Sequence, residues 1–315
     1  MKLRILAFTA LALLGITACK KDSSNDDDNE TVVTEQLTQH SDDQSRVSTD
    51  LEAVDNDINA AVESDPAFGR VNNTARTLVL PPCDATVTFD STSTQRVMII
   101  TFNGAPCDSF RTRTGTIYVM QPRAQRWGQP GATLRDSIVN LKITRRSDNK
   151  SITINGTRTH TNVSGGRLGN MPVGGTIVHT VDAAMSITFD NGSQRQWQAA
   201  RKRTYTHPAP TVLNIAISGN HSDGGVNDIA EWGTNRFGNA FRTRITSPLV
   251  FRSECRFRLG AGNVLHTGLA HSLEVTYGLN IQGQPTGCPG NNPYYFKAVW
   301  TRANGNAMTV IRPYY

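Results

Sequence analysis

From Arg76 to the C terminus the chain alternates apolar and polar residues with a period of two. Ala85, Val87 and Phe89 are separated by Thr86, Thr88 and Asp90. The same holds for Met185, Ile187 and Phe189, for Leu213, Ile215 and Ile217, and for Tyr294, Phe296, Ala298 and Trp300. Residues two apart share one face of a strand, so this pattern predicts antiparallel strands with one buried and one wet face. Asn191-Gly192 lies between two such runs and is a two-residue hairpin signal; Ser147–Lys150 and Ala303–Asn306 are weaker turns. Roughly fourteen strands fit the spacing of an all-β fold. A sheet of that size curls, closes or splits into two layers. The expected fold is therefore all-β, a large antiparallel meander built as a sandwich or as a curled, partly closed sheet, preceded by one amphipathic helix. Val87-Thr-Phe-Asp90 with Gln95-Arg96 returns as Ile187-Thr-Phe-Asp190 with Gln194-Arg195. Two related halves, or two hairpins obeying the same β rules, would each produce that echo.

The helix is predicted over residues 41–70. Val47, Leu51, Val54, Ile58 and Val62 fall three and four apart, which draws one apolar stripe. Ser41-Asp-Asp-Gln44 fits a capping box, and Pro66 with Gly69 ends the pattern. Such a stripe would lie on the β domain as a lid or strap. Before it, residues 19–40 include the polar run Asp22–Glu30, which reads as an acidic disordered tether. Residues 1–18 carry Lys2 and Arg4, then an apolar run from Ile5 to Ile16, shorter than the ~20 residues that span a bilayer. This is a secretory signal. Its end, Ile16-Thr17-Ala18-Cys19, resembles a bacterial lipobox. The resemblance implies cleavage before Cys19, lipid on its sulfur and acylation of the new amine. Two or more acyl chains anchor stably where one does not. Residues 71–315 form the β domain.

An exported chain meets an oxidising compartment, so Cys83, Cys107, Cys255 and Cys288 are expected to pair. Three connectivities are open; the local pairs, Cys83 with Cys107 and Cys255 with Cys288, are the simplest. Charge is distributed unevenly. Residues 20–70 hold 4 Lys/Arg against 14 Asp/Glu, and residues 71–315 hold 26 against 12. The basic residues of the β domain often come as Arg-x-Arg: Arg111 with Arg113, Arg201 with Arg203, Arg242 with Arg244, Arg256 with Arg258. Each pair shares a strand face, and the expectation is that the pairs stand outward. They would form either solvated sheet surface or one basic patch for an acidic glycan or other polyanion. The acidic arm at 22–40 would shield that patch.

Enzymatic motifs give little purchase. The chain contains no G-x-S-x-G, H-E-x-x-H, P-loop or dinucleotide fingerprint. No cofactor and no sequence-specific nucleic-acid contact is expected. One stretch, Asn220–Trp232, gathers Asp223, Asp228 and Glu231 near His221 in an otherwise basic domain. Those acids are weak candidates for a metal or for glycoside hydrolysis, and Trp232 could stack on a sugar. A glycine-rich turn capped by its own side chains explains the stretch equally well.

The succession of motifs resembles a group of Bacteroidota surface lipoproteins of unknown function. It runs from the lipobox through Thr38–Ser45, Cys83–Thr88, Asn155–Arg158, Thr188–Gly192 and Ala230–Ala240 to Tyr294–Lys297. The resemblance implies export, anchoring in the outer membrane by lipid, with exposure at the cell surface, and a β fold. It brings no catalytic residues. The expected protein is a lipid-anchored envelope component in a binding or structural role, with a glycan-active hydrolase as the alternative.

Overall fold

A computed structural model of the chain describes residues 24–65, 68, 82–90, 94–107, 110–301 and 305–314. The expected signal sequence, Cys19, the start of the expected tether, the expected Pro66/Gly69 helix stop and the first half of the expected Ala303–Asn306 turn lie outside them. The protein is one long helix followed by an all-β body. The helix, α1, runs Ser24–Ser64. The strands are β1 (Ala85–Asp90), β2 (Gln95–Asn103), β3 (Arg111–Pro122), β4 (Ala132–Arg145), β5 (Ser151–Asn162), β6 (Thr176–Phe189), β7 (Gln194–Ala209) and β8 (Val212–Gly219). They continue with β9 (His221–Asp223), β10 (Val226–Thr234), β11 (Ala240–Arg252), β12 (Leu259–Thr267), β13 (Leu273–Leu279), β14 (Tyr294–Thr301) and β15 (Ala307–Tyr314).

All belong to one antiparallel sheet, ordered β1 to β7, then β10 to β15. The long strands β7 and β11 are shared. One half of each pairs with β8 and the other with β10, while β9 adds to β10. The echoed motifs end β1 and β6, each the first strand of a hairpin in this continuous sheet. Sharp coiling comes from glycines within strands. At Gly156 the backbone takes φ 144°, and an added Cβ would sit 2.3 Å from the Ala184 carbonyl oxygen. The ladder between β4 and β5 slips just beyond it, after Ile138. Such glycine-bearing bulges are how a flat sheet acquires a bend.

The sheet curls around α1, which is no lid. From His40 to Val62 the helix is buried on nearly every side. Its apolar stripe packs on Met98, Ile100, Ile117, Val119 and Leu134 of the first strands. Leu37 enters a second core with Tyr205, Ile217, Tyr277 and Tyr314. The helix also begins far earlier than the capping signal suggested, and residues 24–40 are helical where a disordered tether was expected. Ser41 and Gln44 explain the difference. The Ser41 hydroxyl donates back to the Leu37 carbonyl, 3.0 Å, as serine does inside a helix. Gln44 turns away from its own backbone and donates to Glu231 of β10.

The remaining helix faces are ionic. Among the described residues, eight arginines of the β body meet helix carboxylates. Arg111 reaches Asp50 at 3.1 Å, Arg145 reaches Asp42 at 3.0 Å and Arg167 reaches Glu63 at 3.0 Å. Arg113 is held between Asp57 and Asp84, and Arg236 meets Asp43. Arg201 and Arg203 meet Glu52 at 2.8 and 3.1 Å, and Arg203 and Arg158 share Asp55. Burial alone would push the Asp55 carboxyl up, but Arg158 and Arg203 outweigh it and hold the pKa below its ordinary value. Two of the Arg-x-Arg pairs therefore point inward, contrary to the outward expectation. The helix acids that meet them lie at 50–57, downstream of the arm expected to do so, and Asp84 and Glu231 of the β body add to them.

The disulfides join Cys83 to Cys107 and Cys255 to Cys288, the local pairing.

Removing one member of this interior leaves buried charge under-compensated: without Asp55, Arg158 keeps only Asp136 and Arg203 only Glu52 as ion-pair partners among the described residues. Asp55→Ala is expected to cost about 3–5 kcal/mol, whereas Lys142→Ala on the exposed face should stay within about 0.5 kcal/mol. Urea unfolding midpoints of the two variants test this; equal midpoints would show that the interior pairs carry no such weight.

Candidate functional site

The outer face of β9, β10, β11 and β12 brings together several residues singled out by sequence. Trp232 and Arg242 are direct cross-strand partners, and Arg242 pairs onward with Thr267. His221 stacks on the Trp232 indole, with ring centroids 4.4 Å apart and planes 22° from parallel. Arg242 donates to Asp223, both side chains about half exposed. Arg244 donates through Nε to the Asn227 carbonyl, 3.0 Å. Beside Trp232 and Arg242 runs a shallow groove of about 360 Å³, continued by Gly233, Gly268 and Thr267. Gly233 takes φ 148°, and a Cβ there would meet the Gln196 carbonyl oxygen at 2.0 Å. Only glycine lets β7 and β10 approach this closely under the tryptophan. An indole flank and a guanidinium along one groove can stack on a sugar ring and hydrogen-bond its substituents.

The other sequence candidates go elsewhere. Arg111 and Arg113 lie inside, against α1. Arg256 and Arg258 part company: Arg256 is exposed and Arg258 is buried. Alternation fails there because Ser253–Cys255 form a 3-10 turn and both Arg256 and Phe257 take left-handed backbone, φ 58° and 52°. Arg258 then donates to the Asn292 and Gly290 carbonyls. Its guanidinium stacks between Phe110, 5.0 Å, and Tyr294, 4.9 Å.

The acids near Trp232 do not converge. Glu231 faces the interior, where it accepts from Trp197 Nε1 at 2.9 Å, from Ser48 at 3.3 Å and from Arg201. Asp228 sits exposed at φ 60°, and Asp223 is engaged by Arg242. Among the described residues no three His, Cys, Asp or Glu side chains gather as a metal site.

Sequence reasoning missed a buried histidine network. His40 of α1 and His266 of β12 meet edge to face at 4.8 Å, with Phe241 5.2 Å from His40. Thr243 Oγ1 lies 2.9 Å from His266 Nδ1. Arg195, wholly buried, stacks on Phe241 at 4.3 Å, and burial lowers its pKa to about 10. His179 sits between Trp127, 4.9 Å, and Tyr205, 4.8 Å. Burial pushes His40 and His179 well below the ordinary imidazole value and His266 to about 3; neighbouring cations add to each. The signal was present in the alternation. His179 shares a face with Ile177 and Val181, and His266 with Val264, all inward.

These three histidines set a pH response. Their folded pKa values are depressed, so they stay neutral in the fold while an unfolded chain takes protons near pH 6.5. Their contribution is complete above that pH and is lost as pH falls, at up to about 4 kcal/mol per unit for three groups. Asp43, Asp57 and Glu63, which burial pushes up, act in the opposite sense. Urea unfolding at pH 7.5 and 5.5 should show a loss, reduced by about a third in His266→Asn. A profile equally steep in that variant would remove His266 from the account.

Compared with known proteins, the chain matches no family model, no curated protein and no solved structure.

Proposed function

We propose that the protein is an exported, lipid-anchored component of the cell envelope that binds an acidic glycan or a similar polyanion without chemical turnover. The observation that carries this reading is the pairing of Trp232 with Arg242 across β10 and β11, on the outer face and beside a groove. The interior arginines are spent on the helix, so the cations available to a polymer are those of the outer strands, Arg242 and Arg244 foremost. Two disulfides fit an oxidising compartment. The inward turn of Glu231, away from the Asp223 that Arg242 holds outside, counts against a glycoside hydrolase built on these acids.

The anchor reading rests on the lipobox at Cys19. Helix α1 starts five residues later. About sixteen residues of helix then separate that point from the enclosed segment at His40, a spacer of roughly 24 Å. The β body would thus ride close to the membrane on a helical stalk. Lys20 and Lys21 followed by the acidic run Asp22–Glu30 resemble the export signals of Bacteroidota lipoproteins, which supports an outer-membrane, outward-facing location for the anchor.

Fatty-acid labelling in cells should mark the wild-type chain and not Cys19→Ser, which should partition with water in detergent phase separation. An unlabelled wild type rejects the anchor. For the groove, the full mature chain on an array of acidic and neutral glycans should favour the acidic ones and release them as salt rises. Trp232→Ala and Arg242→Ala should each weaken binding about tenfold, a change of about 1.4 kcal/mol. Retention indifferent to salt, or to both substitutions in a folded protein, would defeat this reading.

A further inference from the structure

The face that carries Trp232 does not stop at β10. Residues two apart share a strand face, and the ladder carries that parity from strand to strand. Trp232 lies directly opposite Gln198 of β7, and Gln198 lies opposite Ala184 of β6. Two residues along β10, Thr234 faces Gln196, Gln196 faces Ser186, and Ser186 faces Asn155 of β5. All of these side chains are exposed or half-buried, whereas Met185, Arg195, Trp197 and Ala199 between them are buried. Two adjoining rows therefore cross the outside of the sheet and lead from β5 toward Arg242 on β11. Four strand spacings of about 4.8 Å make that path roughly 19 Å long.

A second groove, of about 390 Å³, lies on this path, on β5, β6 and β7. In strand order Trp232 stands between it and the groove of Arg242. Its lining includes Asn155, Ser186, Gln196 and Gln198, with little side chain at Gly156 and Ala184 to fill the space between them. None of its lining residues is charged. The first groove differs, with Arg242 as its charged residue. An amide offers two donors and an acceptor oxygen, and a hydroxyl serves in both roles. Asn155 spends its oxygen on the Asn140 N–H, 2.8 Å, so its amide nitrogen is the group left to hydrogen-bond a ligand. Neutral amides and hydroxyls match the hydroxyl and acetamido substituents of an uncharged sugar. They bring no counter-charge for an anionic unit, whose desolvation is costly without one. Along this path the counter-charge stands at Arg242.

We infer that the two grooves form one track for a linear polysaccharide in which anionic units are interspersed with uncharged ones. An anionic unit meets Arg242, a ring lies against Trp232, and uncharged units continue over Gln198, Gln196 and Ser186. The inference rests on the glycan reading above and adds to it the length, the direction and the charge pattern of the ligand. Successive rings of such a polymer advance by about one strand spacing, so the track takes about four of them.

The test titrates the full mature chain calorimetrically with hyaluronan fragments of two, four and six rings, in which carboxylated and N-acetylated rings alternate. A galacturonate hexamer, charged on every ring, is the comparison. Affinity should rise about tenfold or more from two rings to four, and the hyaluronan hexamer should bind more tightly than the galacturonate hexamer. Ala184→Trp, at an exposed position, fills the second groove. It should bring the four- and six-ring fragments down to the two-ring affinity and leave the two-ring fragment unchanged. The double substitution Gln196→Ala with Gln198→Ala should act in the same direction on the long fragments, while Trp232→Ala should weaken every length. Failure of all probes to bind the folded wild type defeats the glycan reading and the track with it. Two-ring binding as tight as six-ring binding overturns the track alone, as does six-ring binding indifferent to both groove variants. A galacturonate hexamer bound as tightly as its hyaluronan counterpart overturns the charge pattern.

Discussion

Everything in this structure turns on charge compensation between α1 and the strands that enclose it. Residues 41–63 carry seven acids and one arginine. Inside a sheet of ordinary apolar lining those acids would be intolerable, because an unpaired buried charge costs several kcal/mol. Around the inner face, Arg113, Arg158, Arg201 and Arg203 would be as costly without the helix. Neither surface is an acceptable interior alone, and together they satisfy one another. This also fixes how far the helix is inserted. Sliding it by one turn would carry Asp50 away from Arg111, Asp55 from Arg158 and Glu52 from Arg201 at once. The apolar stripe alone would tolerate such a slip, because Val47, Leu51, Val54, Ile58 and Val62 repeat with nearly that step.

The same accounting shapes the outside. A β body with 26 Lys/Arg against 12 Asp/Glu would be expected to present a strongly basic exterior. Much of that excess is neutralised inside by a helix that belongs to the acidic part of the chain. What remains outside is local, and local charge gives position to a ligand where a diffuse field gives only attraction. The Trp232–Arg242 face is a place of that kind: it sets a guanidinium beside aromatic surface.

How much of this could be read from the chain follows from which physics is local. Period-two alternation is local, so the strands, the hairpin at Asn191-Gly192 and the outward placement of Arg242 and Arg244 were legible. The side of the sheet that is buried is not a local property. For Arg111 and Arg113 the neighbours Thr112 and Thr114 gave no apolar face to mark the interior, and the deciding partners, Asp50 and Asp57, lie more than fifty residues away. Arg258 was lost to a turn in which two non-glycine residues take left-handed backbone, which no alternation rule foresees. The helix start was misplaced because Ser41 and Gln44 fit a cap by type while serving tertiary contacts. The inward histidines were readable, and the preference for treating a histidine as surface outweighed its strand parity.

The disulfides complete the logic of an incompletely closed sheet. Among the described residues, strands β1 and β15 end the strand order and do not pair with each other. Backbone hydrogen bonds join each described strand to its neighbours in that order, and between its two ends side chains serve. Cys255–Cys288 ties the turn bearing Arg256 and Arg258 to the segment that leads into Asn291. That link confines both partners of the Arg258 clamp before β14 begins: the guanidinium on one side of the bond, and the Gly290 and Asn292 carbonyls on the other. Cys83–Cys107 does the equivalent at the opposite end, closing the hairpin of β1 and β2 where Asp84 grips Arg113 beneath it. Each crosslink stands beside a buried arginine near one end of the sheet. An ionic interior that needs enclosure is thus secured covalently at the two ends where the ladder stops.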